Sequence, residues 1–70
     1  MHTQSPQVRM ANEIAVQFHH QPTRQAAAAI AQHIRLFWDP RMKAELLDKA
    51  QTEAASLDPL VLDAVTYLKP

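Results

Sequence analysis

The run Ala26-Ala27-Ala28-Ala29-Ile30-Ala31-Gln32-His33-Ile34-Arg35-Leu36-Phe37-Trp38-Asp39-Pro40-Arg41-Met42 decides the fold class. It opens on alanines, the residues of highest helix propensity. It continues with Ile30, Ile34, Phe37 and Trp38 on one side and Gln32 and Arg35 on the other, the pattern of an amphipathic helix. At Asp39-Pro40 the pattern stops. A proline breaks a helix from within, but at the first helical position its missing N–H is not needed and its φ is already set. The aspartate before it can accept the free N–H groups of the following turn. One helix therefore ends at this point, the chain turns a tight corner, and another helix begins.

The same punctuation organises the rest of the chain, which has five prolines and no glycine. Ser5-Pro6 reads as an N-cap with a proline behind it, and Val8, Ala11, Ile14, Ala15 and Phe18 form one apolar stripe, giving a first helix over about 6–18. His19-His20-Gln21-Pro22 interrupts the stripe, and either Gln21 ahead of Pro22 or Thr23 caps the second helix, about 23–38. Met42, Leu46, Ala50 and Ala54 make an i, i+4 row in a third helix, about 40–54, with Leu47 beside it and a Glu45–Lys49 pair along it. Asp58-Pro59 starts a fourth, about 59–69, built on Leu60 or Val61, Ala64, Val65 and Leu68. Alternation of apolar and polar residues never persists long enough for a strand. The expectation is an all-α protein: a small compact bundle of three to four short helices in a single domain over residues 1–70. Ser5, Asp39 and Asp58 are its helix caps, and residues 1–5 form a disordered N-terminus.

Seventy residues bury only about 60% of the surface of the unfolded chain, and chains of this size usually add a disulfide, a metal or a partner. With no cysteine, disulfides and thiolate metal sites are out, which leaves a partner as the expectation. Seven basic residues balance seven acidic ones and the signs are interspersed, which argues against a general nucleic-acid or membrane-surface binder. Glu45, Asp48 and Glu53 along the third helix make a helix-turn-helix DNA reader a poor fit as well. The absence of a long apolar run and of a secretory pattern near Met1 points to the cytoplasm. No nucleophile sits with a base, no glycine loop cradles a phosphate, and no paired acids stand out, so independent catalysis is not expected. Adjacent His19 and His20 would point about 100° apart on a helix and cannot ligate one metal as an i, i+4 pair could; they read as solvated loop histidines.

A few residues stand out as candidate contacts. His33 lies at the edge of the apolar face, either half-buried with a hydrogen bond or in contact with another subunit. Phe37 and Trp38 are consecutive and diverge, so both cannot be central to one small core. Trp38 either packs into the corner or anchors a partner, since tryptophan and arginine dominate interface energetics. Arg41, in the first turn of a helix, opposes the dipole there, which suggests an outside partner or an ion pair with Glu45. Met10 and Asn12 lie off the first stripe, and Met10 is a candidate exposed apolar contact. The alanine face of Ala26 to Ala29 with Ala31 is expected to pack against the first helix.

Three strings carry a resemblance: Arg9-Met10-Ala11-Asn12-Glu13-Ile14-Ala15, the central Ile30 to Met42 run with its His33-Ile34 and Phe37-Trp38-Asp39-Pro40-Arg41-Met42, and Leu57-Asp58-Pro59-Leu60-Val61. Together, over about residues 8–65, the chain resembles the delta subunit of NAD-dependent formate dehydrogenase. The family pattern maps onto Arg9, Met10, Asn12, His33, Phe37, Trp38, Asp39, Arg41 and Met42, and the resemblance implies a partner interface drawn from them. It implies an accessory, non-catalytic role in a soluble cytoplasmic enzyme, without cofactors in this chain. The bis-pterin molybdenum or tungsten centre, iron–sulfur clusters, FMN and NAD belong to larger subunits. Docking on the catalytic large subunit is one reading; a transient maturation chaperone for cofactor insertion and an independent self-associating helical module are the others. The family carries glycines before the Leu-x-Pro-Leu-Val segment where this chain has Ala54-Ala55-Ser56. The third helix is therefore expected to run longer or to end in a 3₁₀ turn.

Overall fold

Each of the helix starts carries a proline at or next to its first position. In the computed structural model, which describes residues 5–68, the elements are α1 (Pro6–Val16), α2 (Thr23–Phe37), α3 (Pro40–Thr52), a 3₁₀ turn (Ala54–Ser56) and α4 (Pro59–Leu68). The protein is an all-α bundle, as the periodicity predicts. Residues 1–4 and Lys69, on which the expectations of a disordered start and a later end to the last helix fall, lie outside the described residues.

Ser5 Oγ accepts the N–H groups of Gln7 at 3.2 Å and Val8 at 3.5 Å, and Asp39 Oδ1 accepts that of Met42 at 2.8 Å. Asp58 Oδ1 does the same for Leu60 at 2.9 Å. These side chains occupy donors that the first turn of a helix leaves without intrahelical partners. At α2 neither Gln21 nor Thr23 is the cap. Pro22 takes that position in an extended conformation (φ −56°, ψ 143°) with no side-chain acceptor, and its carbonyl receives the Ala26 N–H at 2.9 Å.

Helix ends are where the chain departs most from periodicity. The regular part of α1 stops at Val16, and Gln17 and Phe18 close onto Ile14 and Ala15 with i→i−3 bonds of 3.1 and 3.0 Å, so the expected last residues of the helix form a tightened turn. Phe18 still packs against the core from that turn. Helix α3 ends at Thr52 and the chain turns through Glu53 (φ −136°, ψ 42°) into the 3₁₀ turn. No described residue has a positive φ, so a chain without glycine leaves this helix through Glu53 and a 3₁₀ turn instead of a left-handed cap.

The core joins Val8, Ala11 and Ala15 of α1 to Ala27, Ile30, Ala31 and Ile34 of α2, then to Trp38, Leu46, Leu57, and Val61, Ala64 and Val65 of α4. Helix α2 packs chiefly on α4, and only marginally on α1. That corrects the expectation for the alanine face: small side chains at Ala27 and Ala31, with Ala64 opposite in the same core, allow α2 and α4 to approach closely. The radius of gyration is 11.0 Å, which matches the roughly 11 Å expected of a folded chain of this length. Among the described residues no helix is long and apolar enough to cross a membrane.

Candidate functional site

The α2–α3 corner separates its two aromatic residues. Trp38 follows the last residue of α2 in extended conformation (φ −97°, ψ 139°), its N–H still bonded to Ile34 O at 2.9 Å, and Asp39 continues extended (φ −77°, ψ 168°) before Pro40 restarts the helix. Two extended residues in succession swing the chain away from the α2 axis. The indole of Trp38 turns into the core, 6% exposed, whereas Phe37 faces outward at 72%. Leu36, which the sequence does not single out, is exposed to 66% beside it.

His33 completes this surface. It is exposed, and its ring lies 4.8 Å from that of Phe37 at 42°, a tilted aromatic contact one helical turn apart. Its neighbour is thus an aromatic ring instead of the hydrogen-bond partner that a half-buried histidine would need. Arg41 is exposed on the other side of the corner.

The remaining candidate residues divide by burial. Arg9 is exposed; Met10 and Met42 are half-buried and pack against the core, so Met10 is not the free apolar side chain its off-stripe position suggests. Asn12 is half-buried and bonds across the molecule. Its Nδ2 donates to Ser56 O at 2.9 Å and its Oδ1 accepts the Asp58 N–H at 2.8 Å. This is an amide latch between α1 and the start of α4.

Two cations near the corner bond to backbone carbonyls. Lys43 Nζ donates to Arg35 O at 3.3 Å, satisfying a carbonyl at the C-terminal end of α2, and the Arg35 guanidinium donates to Tyr67 O at 2.6 Å at the end of α4. The lysine–carboxylate ion pair among the described residues lies elsewhere, at Lys49–Glu53 (3.1 Å), and His19 Nε2 meets Asp58 Oδ2 at 2.6 Å. Arg41 therefore has no ion pair with Glu45. Lys49 pairs with Glu53 instead of Glu45, and that hydrogen bond, aided by the charge of Glu53, holds the lysine above its ordinary pKa of 10.5. Glu45 adds a smaller attraction.

Two more features go beyond what the sequence shows. His19 is not merely solvated: its Nε2 meets Asp58 Oδ2 across 39 positions of sequence. An open groove of about 300 Å³ between the start of α2 and the end of α4 is lined by Thr23, Arg24, Ala27, Asp63, Thr66 and Tyr67.

A family model described as NADH-dependent formate dehydrogenase delta subunit FdsD matches residues 7–65. That span holds all four helices except the first residue of α1 and the last turn of α4. No curated protein and no solved structure matches the chain.

Proposed function

Because the chain belongs to the NADH-dependent formate dehydrogenase delta-subunit family, we propose that it is a non-catalytic accessory subunit of that cytoplasmic complex. It docks on the catalytic large subunit through the α2–α3 corner and supports assembly and activity. The redox groups, a bis-pterin molybdenum or tungsten centre, iron–sulfur clusters, FMN and NAD, sit in the larger subunits. Two of the described histidines make contacts within the chain: His19 bonds to Asp58, and His33 lies against Phe37 in a tilted aromatic contact.

The observation that carries the reading is the Leu36–Phe37 pair, two large apolar side chains more than 60% exposed on a chain whose core is already filled by Trp38 behind them. Exposed apolar clusters on small soluble domains mark surfaces that a partner covers. In this arrangement Phe37 is the anchor, and Trp38 holds the corner in shape from within. Arg9, Met10, Asn12 and Met42, which belong to the same pattern, contribute a flank or the frame of the docking face.

The test is co-expression of the tagged chain with the large subunits, followed by size exclusion and the subunit ratio across the active peak. A fixed ratio, lost on Phe37→Ala, is the expected result. Recovery only with cofactor-free large subunit would instead make the chain a maturation chaperone. Self-association with no capture of the large subunit would make it an independent helical module.

A further inference from the structure

We infer that the connection between α3 and α4, Glu53 to Asp58, is a strap that seats and releases as one unit, with Asn12 and His19 as its two fastenings.

The strap has little structure of its own. The chain leaves α3 at Glu53 (φ −136°, ψ 42°), makes one 3₁₀ turn over Ala54–Ser56, and reaches Asp58 through an extended Leu57 (φ −105°, ψ 142°). Its internal bonds are local, from Ser56 N–H to Glu53 O at 2.9 Å and from Leu57 N–H to Ala54 O at 3.1 Å. Ala54 and Ala55 are exposed, whereas Leu57 is buried and belongs to the core. What holds Leu57 there comes from elsewhere in the chain. The Asn12 side-chain amide, on α1, brackets it: Nδ2 donates to Ser56 O on one side and Oδ1 accepts the Asp58 N–H on the other. The Asp58 carboxylate then divides, with Oδ1 capping α4 at the Leu60 N–H and Oδ2 meeting His19 Nε2 in the turn after α1. Among the described residues, Asn12 and His19 supply the hydrogen bonds that tie the strap to α1 and its turn.

These contacts depend on one another. If Asn12 lets go of the backbone on both sides of Leu57, the Asp58 carboxylate is no longer fixed where His19 reaches it, and Leu57 loses the bonds that aim it inward. Groups joined in one hydrogen-bond network couple in this way. Helix α2 packs chiefly on α4, so release of the strap leaves that pair standing. The result is a local opening of the kind that lies below global unfolding in free energy. It frees one buried apolar side chain, Leu57, and loosens α3 from α4.

The experiment combines amide hydrogen exchange of the wild-type 70-residue chain with urea unfolding of the wild type, Asn12→Ala, His19→Ala and the double variant. The amides of Leu57, Asp58 and Leu60 report on the strap, because their acceptors lie on three different residues. They should share one level of protection, about tenfold or more below that of Ile30 and Ile34 in α2, and with a weaker urea dependence. His19→Ala should lower the folding constant about threefold in the wild type and much less when Asn12 is already alanine. Equal effects of His19→Ala in the two backgrounds would make the fastenings independent and overturn the inference. No effect in either background would remove His19 from the strap and overturn it as well. Protection at the three strap amides that differs by about tenfold among them, or that equals that of Ile30 and Ile34, would also overturn it. Should Asn12→Ala fail to fold, the wild-type exchange pattern decides alone.

Discussion

Trp38 and Phe37 share a backbone corner and differ in what they do with it. The buried indole belongs to the core together with Leu46 and Leu57, so Trp38→Ala should cost about 3–5 kcal/mol through lost burial and a cavity that a small core cannot close. Phe37→Ala removes a ring that is mostly in water and should change stability by no more than about 0.5 kcal/mol. Urea unfolding followed by far-UV circular dichroism separates the two; equal losses would show that Phe37 belongs to the core. Asn12 belongs to the same scale. Asn12→Ala leaves Ser56 O and the Asp58 N–H without their partner, at a cost of about 1–3 kcal/mol. Asn12→Asp keeps an acceptor for the Asp58 N–H but turns a carboxylate toward the Ser56 carbonyl, and should be no better tolerated. None of this latch is legible in the sequence, where Asn12 is only a polar residue off an apolar stripe and its partners lie 44 and 46 positions away. The corner itself is legible in Asp39-Pro40. Which aromatic turns inward is not, because that depends on the two extended residues that follow Phe37.

Helices are placed in this chain by their starts, and starts are local. Ser5-Pro6, Asp39-Pro40 and Asp58-Pro59 each combine an acceptor with a preset φ, so the N-termini of α1, α3 and α4 follow from dipeptides alone. Ends and pairings are not local. The end of α3 depends on where Glu53 finds a conformation that avoids positive φ, and the choice of α4 as the main partner of α2 depends on packing between alanines far apart in sequence. The caps make the elements unequal in sensitivity. Asp39→Ala should cost about 1 kcal/mol, the ordinary value of an N-cap. Asp58→Ala should cost more, because that carboxylate also receives His19, and thermal midpoints of the two variants give the comparison. If the losses are equal, the His19 contact contributes nothing to stability. In α3 the Lys49–Glu53 bond carries a pH dependence of known sign. A lysine whose pKa is raised on folding contributes stability below its unfolded pKa, and that contribution fades as pH rises through the folded value, above 10.5. Lys49→Met should therefore flatten the alkaline limb of a stability–pH curve and leave its shape near neutral pH unchanged.

At the scale of the whole molecule, a core built largely from alanine, valine and isoleucine on four short helices places the chain near the lower limit of what one hydrophobic core can hold. A partner that binds only the folded state raises its apparent stability by mass action, by about 2.7 kcal/mol when free partner stands at a hundredfold its Kd. The two sides of the corner should therefore respond to the partner in opposite ways. Phe37→Ala should keep its own stability and gain almost nothing when the large subunit is added, because it loses the contact that couples folding to docking. Trp38→Ala should be poorly folded alone and partly recovered by co-expression with the large subunit, because the exposed anchor remains. Hydrogen–deuterium exchange of amides in α2 and α4, read with and without the large subunit, resolves the chain inside a much larger complex. Protection of the Phe37→Ala variant equal to that of the wild type would remove the corner from the interface and direct the search to another face of the bundle. Protection that rises for the wild type and Trp38→Ala alone would establish that the same few residues set the shape of this protein from within and its attachment from without.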